Sequence, residues 1–571
     1  MATEDLVTEQ FQFLGVDLPS EVLKKCGSLC EEYNVEPEDF VEQWMAFSLS
    51  NLDGASPSIE DLKVFERREF SKRAAELNVP VKVTSAATLT VYGAPEQTRS
   101  AEDVLSNYLN TSPKRIKTET DGTQHELRPA TYSPSVNNSG KYGSRTNGGC
   151  VVHSYGEDSL LSQLSSDNSV NIVDLNIAQV PNEDGEIYTK AMFGFELLHE
   201  KAAKYDSHIS YLSQCIMKKA NITEISSVRH KSQNEIYVCG RVECDADARL
   251  NPKSVVLQGT WEHSLSLVVP VDLDQVNQYS LFPGQVVVMR GVNPRGDRFI
   301  AQQVYCDASR TLPKPDLINI LKGTISVIIS SGPYTTSDTL AYEPLKDLVQ
   351  YIGTHKPNLA ILMGPFIDSE HARIKDNSMA ETYKSLFDKL LDNIAEITSA
   401  SPHTKIYIVS SMKDAFHMCI FPTPPYTSRR KHPNIHFVPD PCVLDVNGIY
   451  IALTSTDVLM HLSREEISHG MGGEKLSRLA GHILQQRCLY PVYPSSLPLD
   501  SGLWSAHAQL PHSPHILVLP SSLRHLVKEV NGCVVVNPEH LTKGAGGGTF
   551  ARLLISNNSK TTKIAAQIVR I

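Results

Sequence analysis

The chain has 571 residues, 41% of them hydrophobic and 20% charged. At roughly 150 residues per domain that length makes three or four folded units, and the composition excludes a wholly disordered, collagen-like or coiled-coil protein. The net charge of -11 is uneven: residues 1–66 carry 15 acids against three lysines, a net of -12, while the other 505 residues hold 50 basic and 49 acidic side chains, a net of +1.

The acidic end is therefore expected to be a separate module with its own basic partner. Met1-Ala2-Thr3-Glu4-Asp5 has neither the basic nor the apolar part of a secretory signal. No window approaches 18 uninterrupted apolar residues, so the chain reads as soluble and intracellular. Within 1–73 the apolar spacing is helical, as in Val22, Cys26, Leu29, Cys30 and Tyr33, then Phe40, Val41, Trp44 and Met45. Pro19 and Pro37 suit first turns, and Ser58-Ile59-Glu60-Asp61 reads as a capping box. The prediction is an acidic helical bundle, read as a protein-interaction domain for a basic surface or peptide, with an ordinary bundle carrying a solvated acidic face as the alternative.

From 74 to 165 the character changes, with no Phe or Trp between Phe70 and Phe193. Such a stretch buries too little apolar area to offset its ordering entropy and is predicted to be a flexible linker. Ser112-Pro113-Lys114-Arg115 fits the proline-directed pattern of cell-cycle kinase sites, and Ser133-Pro134 is a looser match, so Ser112 and Ser133 are candidate phosphorylation sites.

Residues 166–310 open with a helical stretch, roughly 188–218, followed by strand signals at 236–242, 254–257, 265–269, 285–291 and 299–301. Short strands divided by Pro and Gly turns predict a small barrel. Leu281-Phe282-Pro283-Gly284-Gln285-Val286-Val287 resembles the turn into a barrel strand of an OB-fold. Its strands carry few exposed-looking aromatics (Tyr237, Trp261) and mix acids with bases, so protein contact or core filling is favoured over nucleic-acid binding.

From 311 to 571, apolar runs at 325–329, 359–363, 406–409, 449–453, 516–519 and 534–536 alternate with helical segments, which predicts sheets covered by helices. Chemistry in such a fold sits on the loops leaving the strands. These loops begin Ser330-Ser331-Gly332-Pro333-Tyr334, Gly364-Pro365-Phe366-Ile367-Asp368, Ser410-Ser411-Met412-Lys413-Asp414 and Val536-Asn537-Pro538.

The order of elements resembles the calcineurin-type metallophosphoesterases, whose strand ends carry D-x-H, G-D-x-x-D, G-N-H-[DE] and G-H-x-H to hold two bridged cations. By that pattern, Gly332, Pro365, Asp368 and Asn537 are degenerate metal-site positions. Proline offers no ligand, and Asp368 lacks partners and reads as a solvated or capping carboxylate. No catalytic, metal or cofactor residue is expected.

Four other features carry no site. Lys543-Gly544-Ala545-Gly546-Gly547-Gly548-Thr549 misses the phosphate-loop pattern and precedes a strand, so it reads as an interstrand turn. Arg429-Arg430-Lys431-His432 reads as a solvated cluster. The eleven cysteines show no CxxC, with Cys26/Cys30 and Cys239/Cys244 the only close pairs, and read as reduced core thiols. The histidines His461, His469, His482, His507, His512 and His515 fit no zinc spacing and read as satisfied or surface imidazoles.

An OB-fold followed by a phosphoesterase domain without its metals is similar to the B (accessory) subunits of the eukaryotic replicative DNA polymerases, and the finer matches point to the alpha–primase branch. They run through Tyr279-Ser280-Leu281-Phe282-Pro283-Gly284-Gln285, Gly332-Pro333-Tyr334-Thr335-Thr336-Ser337-Asp338, Met363-Gly364-Pro365-Phe366, Leu453-Thr454-Ser455-Thr456-Asp457 and Gly547-Gly548-Thr549-Phe550-Ala551-Arg552. The resemblance implies a nuclear, non-catalytic scaffold. Its implied partners are the C-terminal domain of the catalytic polymerase subunit, primase subunits of the same complex, and replication factors at the N-terminal domain, with DNA contact weak or indirect. The alternatives are an active metal-dependent phosphoesterase and a single-stranded DNA-binding protein acting through the OB-fold.

Overall fold

A computed structural model of the chain separates into two compact units, residues 1–127 and 128–571. Of the first it describes 8, 11, 18–33, 40–41, 44, 47–48, 57 and 59–66. From residue 140 onward it describes all but 166–174, 191, 314–322, 377–378, 380 and 559–560. Ser112, Ser133, Pro37, Met45 and Ser58 therefore lie outside the described residues.

In the first unit a helix spans Ser20–Tyr33 and another Ile59–Phe65. The spacing of Val22, Cys26, Leu29 and Cys30 gives the first helix one apolar stripe, buried with Phe11, Phe40, Trp44, Leu62 and Phe65. Phe65 sits edge-on to both Phe40 and Trp44, at 5.7 and 5.3 Å. Burial pushes the Cys26 thiol up to about 12, so it stays protonated as a core residue.

The second unit is built on two mixed sheets. The first has seven strands, in spatial order Val151–Tyr155, Thr561–Arg570, Thr549–Asn558, Thr324–Ser331, Leu359–Met363, Lys405–Val409 and Ile435–Val438. The second has six: Leu526–Val530, Cys533–Asn537, Ile516–Val518, Ile449–Leu453, Cys442–Val446 and Ile177–Gln179. Alternation along the strands assigns each face. Ile325, Val327, Ile329, Leu359, Ile361 and Met363 meet Leu444, Ile451, Leu453, Val518 and Val536 in a core between the sheets. Ile328, Ala360 and Leu362 point the other way, onto the helices Glu343–His355 and Tyr383–Ala400. Ala452, Leu517 and Val535 likewise meet the helices Val458–Glu465, Lys475–Gln485 and Ser501–His507. Both faces of the inner strands are covered, which is why those strands read as continuous apolar runs.

The remaining strands close a five-stranded barrel, Ser232–Cys244, Val255–Gln258, Val268–Asp272, Phe299–Tyr305 and Val286–Asn293. Val238, Leu257, Val269, Met289 and Phe299 fill its interior. Cys239, Val286 and Val288 face outward onto Ile209, Leu212 and Ile216 of the helix Leu198–Ala220. Gly291 permits the closure, since a Cβ there would meet the Ile300 carbonyl oxygen at 2.0 Å.

Three sequence boundaries need correction. Composition places residues 140–165 in the linker, yet Val151–Tyr155 pairs antiparallel with Thr561–Arg570, and the helix Asp158–Ser165 covers that edge through Leu160. Ile177–Gln179, expected with the barrel, instead pairs with Cys442–Val446. The long helix begins at Leu198 rather than near 188, because Tyr188 is drawn away to stack on His507 at 4.6 Å and Glu200 accepts the Leu197 amide at 2.9 Å. One strand is also shorter than expected: Leu265 and Ser266 take positive φ after the turn Trp261–Ser264, so that strand starts at Val268.

The barrel is bolted to the sandwich by the block around Leu281. Tyr279–Leu281 pairs antiparallel with Ile467–His469. A Cβ on Gly284 would meet the Pro491 oxygen and the Tyr493 nitrogen at 2.4 Å, so only glycine admits the crossing chain, whose Tyr493 amide donates to the Pro283 carbonyl at 3.0 Å. Gln486 accepts the Val286 amide at 2.8 Å and donates to the Val286 and Cys306 carbonyls. Arg241, 6% exposed, lies over the Tyr493 ring at 3.6 Å and bonds Glu243 and Gln258.

Candidate functional site

The loops leaving the parallel strands converge at one pole of the sandwich, the place where an α/β fold presents its chemistry. Gly332 and Pro365 meet there: a Cβ on Gly332 would lie 2.0 Å from the Pro365 carbonyl oxygen. Tyr334, fully buried, stacks on Phe366 at 4.6 Å and donates to the Met363 carbonyl at 3.0 Å. The His540 ring lies 2.8 Å from the Gly332 carbonyl, and burial holds its pKa below the usual imidazole range.

Carboxylates are present at this pole, but each is turned onto the protein's own groups. Asp414 accepts the Phe366 and Ile367 amides at 2.8 and 2.6 Å and the Tyr426 hydroxyl. Burial outweighs these bonds and lifts its pKa to about 7. Asp440 accepts the Ser455 amide at 2.9 Å and the hydroxyls of Ser455 and Thr456, with burial raising it to about 6. Asp457 caps the helix Val458–Glu465 through Met460 and accepts the Ser522 amide at 2.9 Å.

Of the four positions singled out in the sequence as counterparts of metal ligands, Gly332 and Pro365 are the pair in contact at the pole. Asp368 is half-buried at the bridge to Asp414 and accepts the Glu370 amide at 3.0 Å. Asn537 stands apart at the end of the second sheet. It is fully buried, accepts the Ser521 and Glu539 amides at 3.0 and 2.9 Å, and donates to the Leu523 and Arg524 carbonyls at 3.1 and 2.9 Å. Among the described residues, no three His, Cys, Asp or Glu side chains are grouped to hold a metal ion. Chemically, the pole locks loops and presents no pair of open carboxylates. Asn537→Ala would leave two amides and two carbonyls unpaired, so a loss of about 3 kcal/mol is expected in urea unfolding. A variant within about 0.5 kcal/mol of the parent, the range of a neutral surface change, would contradict this role.

Behind this pole, Glu539 gathers the His525 amide, the Thr549 hydroxyl and the Lys543 ammonium at 2.9, 3.1 and 2.8 Å. Burial acts to raise its pKa, but the His525 bond and the Lys543 charge hold it down at about 2. Lys543, though exposed, is thus paired with Glu539, and Thr542–Lys543 pairs with Gly546–Gly547 across a tight turn, a geometry unlike a phosphate loop. Arg430 pairs with Asp392 of the helix Tyr383–Ala400.

Sequence reasoning misses the buried Asp414, Asp440, Glu466 and Glu539. Asp414 closes one of the strand-end loops and Asp440 precedes a proline, but their value lies in amides that only the folded loops bring near. His482, read as an ordinary imidazole, is buried at the seam between barrel and sandwich. Its Nε2 lies 3.0 Å from Glu466 and 2.9 Å from Ser280, while Arg478 reaches Glu466 through two bonds of 2.8 and 3.0 Å. All eleven cysteines are free thiols, and no described helix is long and apolar enough to cross a membrane.

The closed barrel lies within residues 204–307, which match the family model for the OB domain of the DNA polymerase alpha B subunit. Residues 327–528 match the model for the B subunits of DNA polymerases alpha and epsilon, which sets the broad class: B subunits of replicative polymerases. Residues 4–72 match the model for the N-terminal part of the DNA polymerase alpha B subunit. The chain is 33% identical over 605 residues to the DNA polymerase alpha B subunit of Mus musculus and 30% over 618 to that of Drosophila melanogaster, with 100% of both chains covered in each case. That of Schizosaccharomyces pombe is 26% identical over 570 residues, 94% of each chain. The chain belongs to the family of DNA polymerase alpha B subunits.

Proposed function

We propose that the chain is a non-catalytic accessory and scaffold subunit of a nuclear DNA polymerase alpha–primase complex. Its barrel and its phosphoesterase-like sandwich, a calcineurin-type fold without the metal site, together hold the C-terminal domain of the catalytic subunit and support primer synthesis at the start of replication. The acidic module within 1–73, on the linker that follows it, recruits other replication factors by raising their local concentration. Phosphorylation of Ser112 or Ser133 tunes that recruitment by adding charge.

The observation that best supports a scaffold over an enzyme is the strand-end pole, where Asp414, Asp440 and Asp457 are engaged by backbone amides and hydroxyls; on the proposed fold, Pro365 would stand where a bridging ligand is needed. The seam adds to it, because a barrel fixed to the sandwich by backbone pairing presents one continuous surface to a partner.

The test is affinity purification of the tagged full chain from nuclear extract with mass analysis. The expected result is co-purification of the large polymerase subunit and the primase subunits, and recovery without them would sink the proposal. A companion assay offers a chromogenic phosphodiester with manganese. No turnover above buffer is expected, whereas metal-dependent turnover lost in Asp368→Ala would establish an active phosphoesterase.

A further inference from the structure

Where the helix Leu198–Ala220 leaves the barrel wall, a cleft of about 400 Å³ opens between them. Ser213, Gln214 and Met217 line it from the helix, Cys239 from the barrel strand, and Glu224 and Glu262 from the loops on either side. No lysine or arginine lines it. Glu224 and Glu262 are exposed, with no hydrogen bond or ion pair among the described residues. Ser213 is 2% exposed, and its hydroxyl meets no nitrogen or oxygen partner, having only the Cys239 thiol beside it. The short turn Trp261–Ser264 also presents Trp261 and Leu265, each 64% exposed, where most large apolar side chains of this unit are buried.

We propose that this cleft is a docking site for a partner polypeptide that inserts a lysine or arginine side chain beside an apolar residue. Met217 and Ile225 give apolar walls for the methylene stem, and the carboxylates of Glu224 and Glu262 receive the cationic head. Gln214 offers its side-chain amide to hydrogen bonds at the cleft, and the exposed Trp261 and Leu265 of the adjoining turn take the apolar neighbour. The volume exceeds one side chain, so backbone on both sides of the basic residue also enters. His263 is the one basic side chain in the lining, and two unpaired carboxylates with no lysine or arginine beside them disfavour a phosphate backbone, so nucleic acid is the wrong class of ligand here.

The test uses the full-length chain and labelled nonapeptides carrying Leu-Lys-Leu or Leu-Arg-Leu at the centre, read by fluorescence polarisation. Expected are saturable binding, at least tenfold weaker binding when norleucine replaces the basic residue, and a similar loss in the Glu224→Gln/Glu262→Gln double variant. Both substitutions are on the surface, and an unchanged thermal midpoint verifies folding. Undiminished binding to the double variant would assign the peptides to the acidic N-terminal module and overturn the proposal, as would absence of binding. A labelled dT20 whose binding is lost in the same double variant would also overturn it, in favour of nucleic acid.

Discussion

Gly332→Ala is expected to prevent the sandwich from closing at its strand ends, costing more than about 4 kcal/mol. The methyl group would be placed 2.0 Å from the carbonyl oxygen of Pro365, and that atom is backbone held between two buried strands. The Pro365 loop has no freedom to retreat, because Phe366 behind it is 1% exposed, stacked on Tyr334, and its amide is held by Asp414. Relief would require separating Thr324–Ser331 from Leu359–Met363, the adjacent parallel pair at the centre of the first sheet. The measurement is urea unfolding with limited proteolysis of the full chain. A parent-like midpoint in the alanine variant would show that the two loops do not cross at van der Waals distance.

Glu466→Ala is expected to loosen the barrel from the sandwich, at a cost of about 3–5 kcal/mol. The carboxylate lies where Arg478, His482 and the Ser280 hydroxyl converge, and its removal strands a buried imidazole and a partly exposed guanidinium. Burial alone would raise its pKa; the bonds from His482 and Arg478 reverse that and hold it at about 2. A carboxylate with a folded pKa below its unfolded value stabilises the fold at pH above about 4.5, and the contribution is lost as the pH falls towards 2. With Glu539 behaving alike, each contributes about 3 kcal/mol, so acid unfolding of the parent should steepen below pH 4.5. Asp414 works in the opposite sense, since its raised pKa favours the fold as the pH falls through 7. Glu466→Gln should flatten the pH dependence between 4.5 and 2 by roughly half, and an unaltered profile would remove Glu466 from the account.

Much of the body was legible because its inner strands are covered on both faces. Runs such as 325–329 and 359–363 have to be apolar throughout, and they end where Gly332-Pro333 and Gly364-Pro365 turn the chain. The barrel was legible for a related reason, in that glycine and proline punctuate each strand. Hidden from the sequence were features whose partners lie far away in it. Val151–Tyr155 has an exposed or half-exposed side chain at every position and sits in a Ser- and Asn-rich stretch, so neither hydropathy nor composition marks it as a strand. Its order comes from backbone hydrogen bonds to Thr561–Arg570, some 400 residues later. The seam around Glu466 was equally silent, because a lone Glu and a lone His in helical surroundings look the same whether buried together or solvated.

That pairing of Val151–Tyr155 with Thr561–Arg570 sets a timetable. The strand emerges from the ribosome early and waits, at about 5–20 residues per second, for most of the body to be synthesised before its partner exists. Arg145 and Gly149, which bond the carbonyls of Ile571 and Arg570, wait with it. The first segment of the body to be made is thus among the last to be fastened. A ribosome stalled anywhere before residue 561 would hold a chain whose central sheet lacks its edge and whose N-terminal module is still joined to an undocked strand.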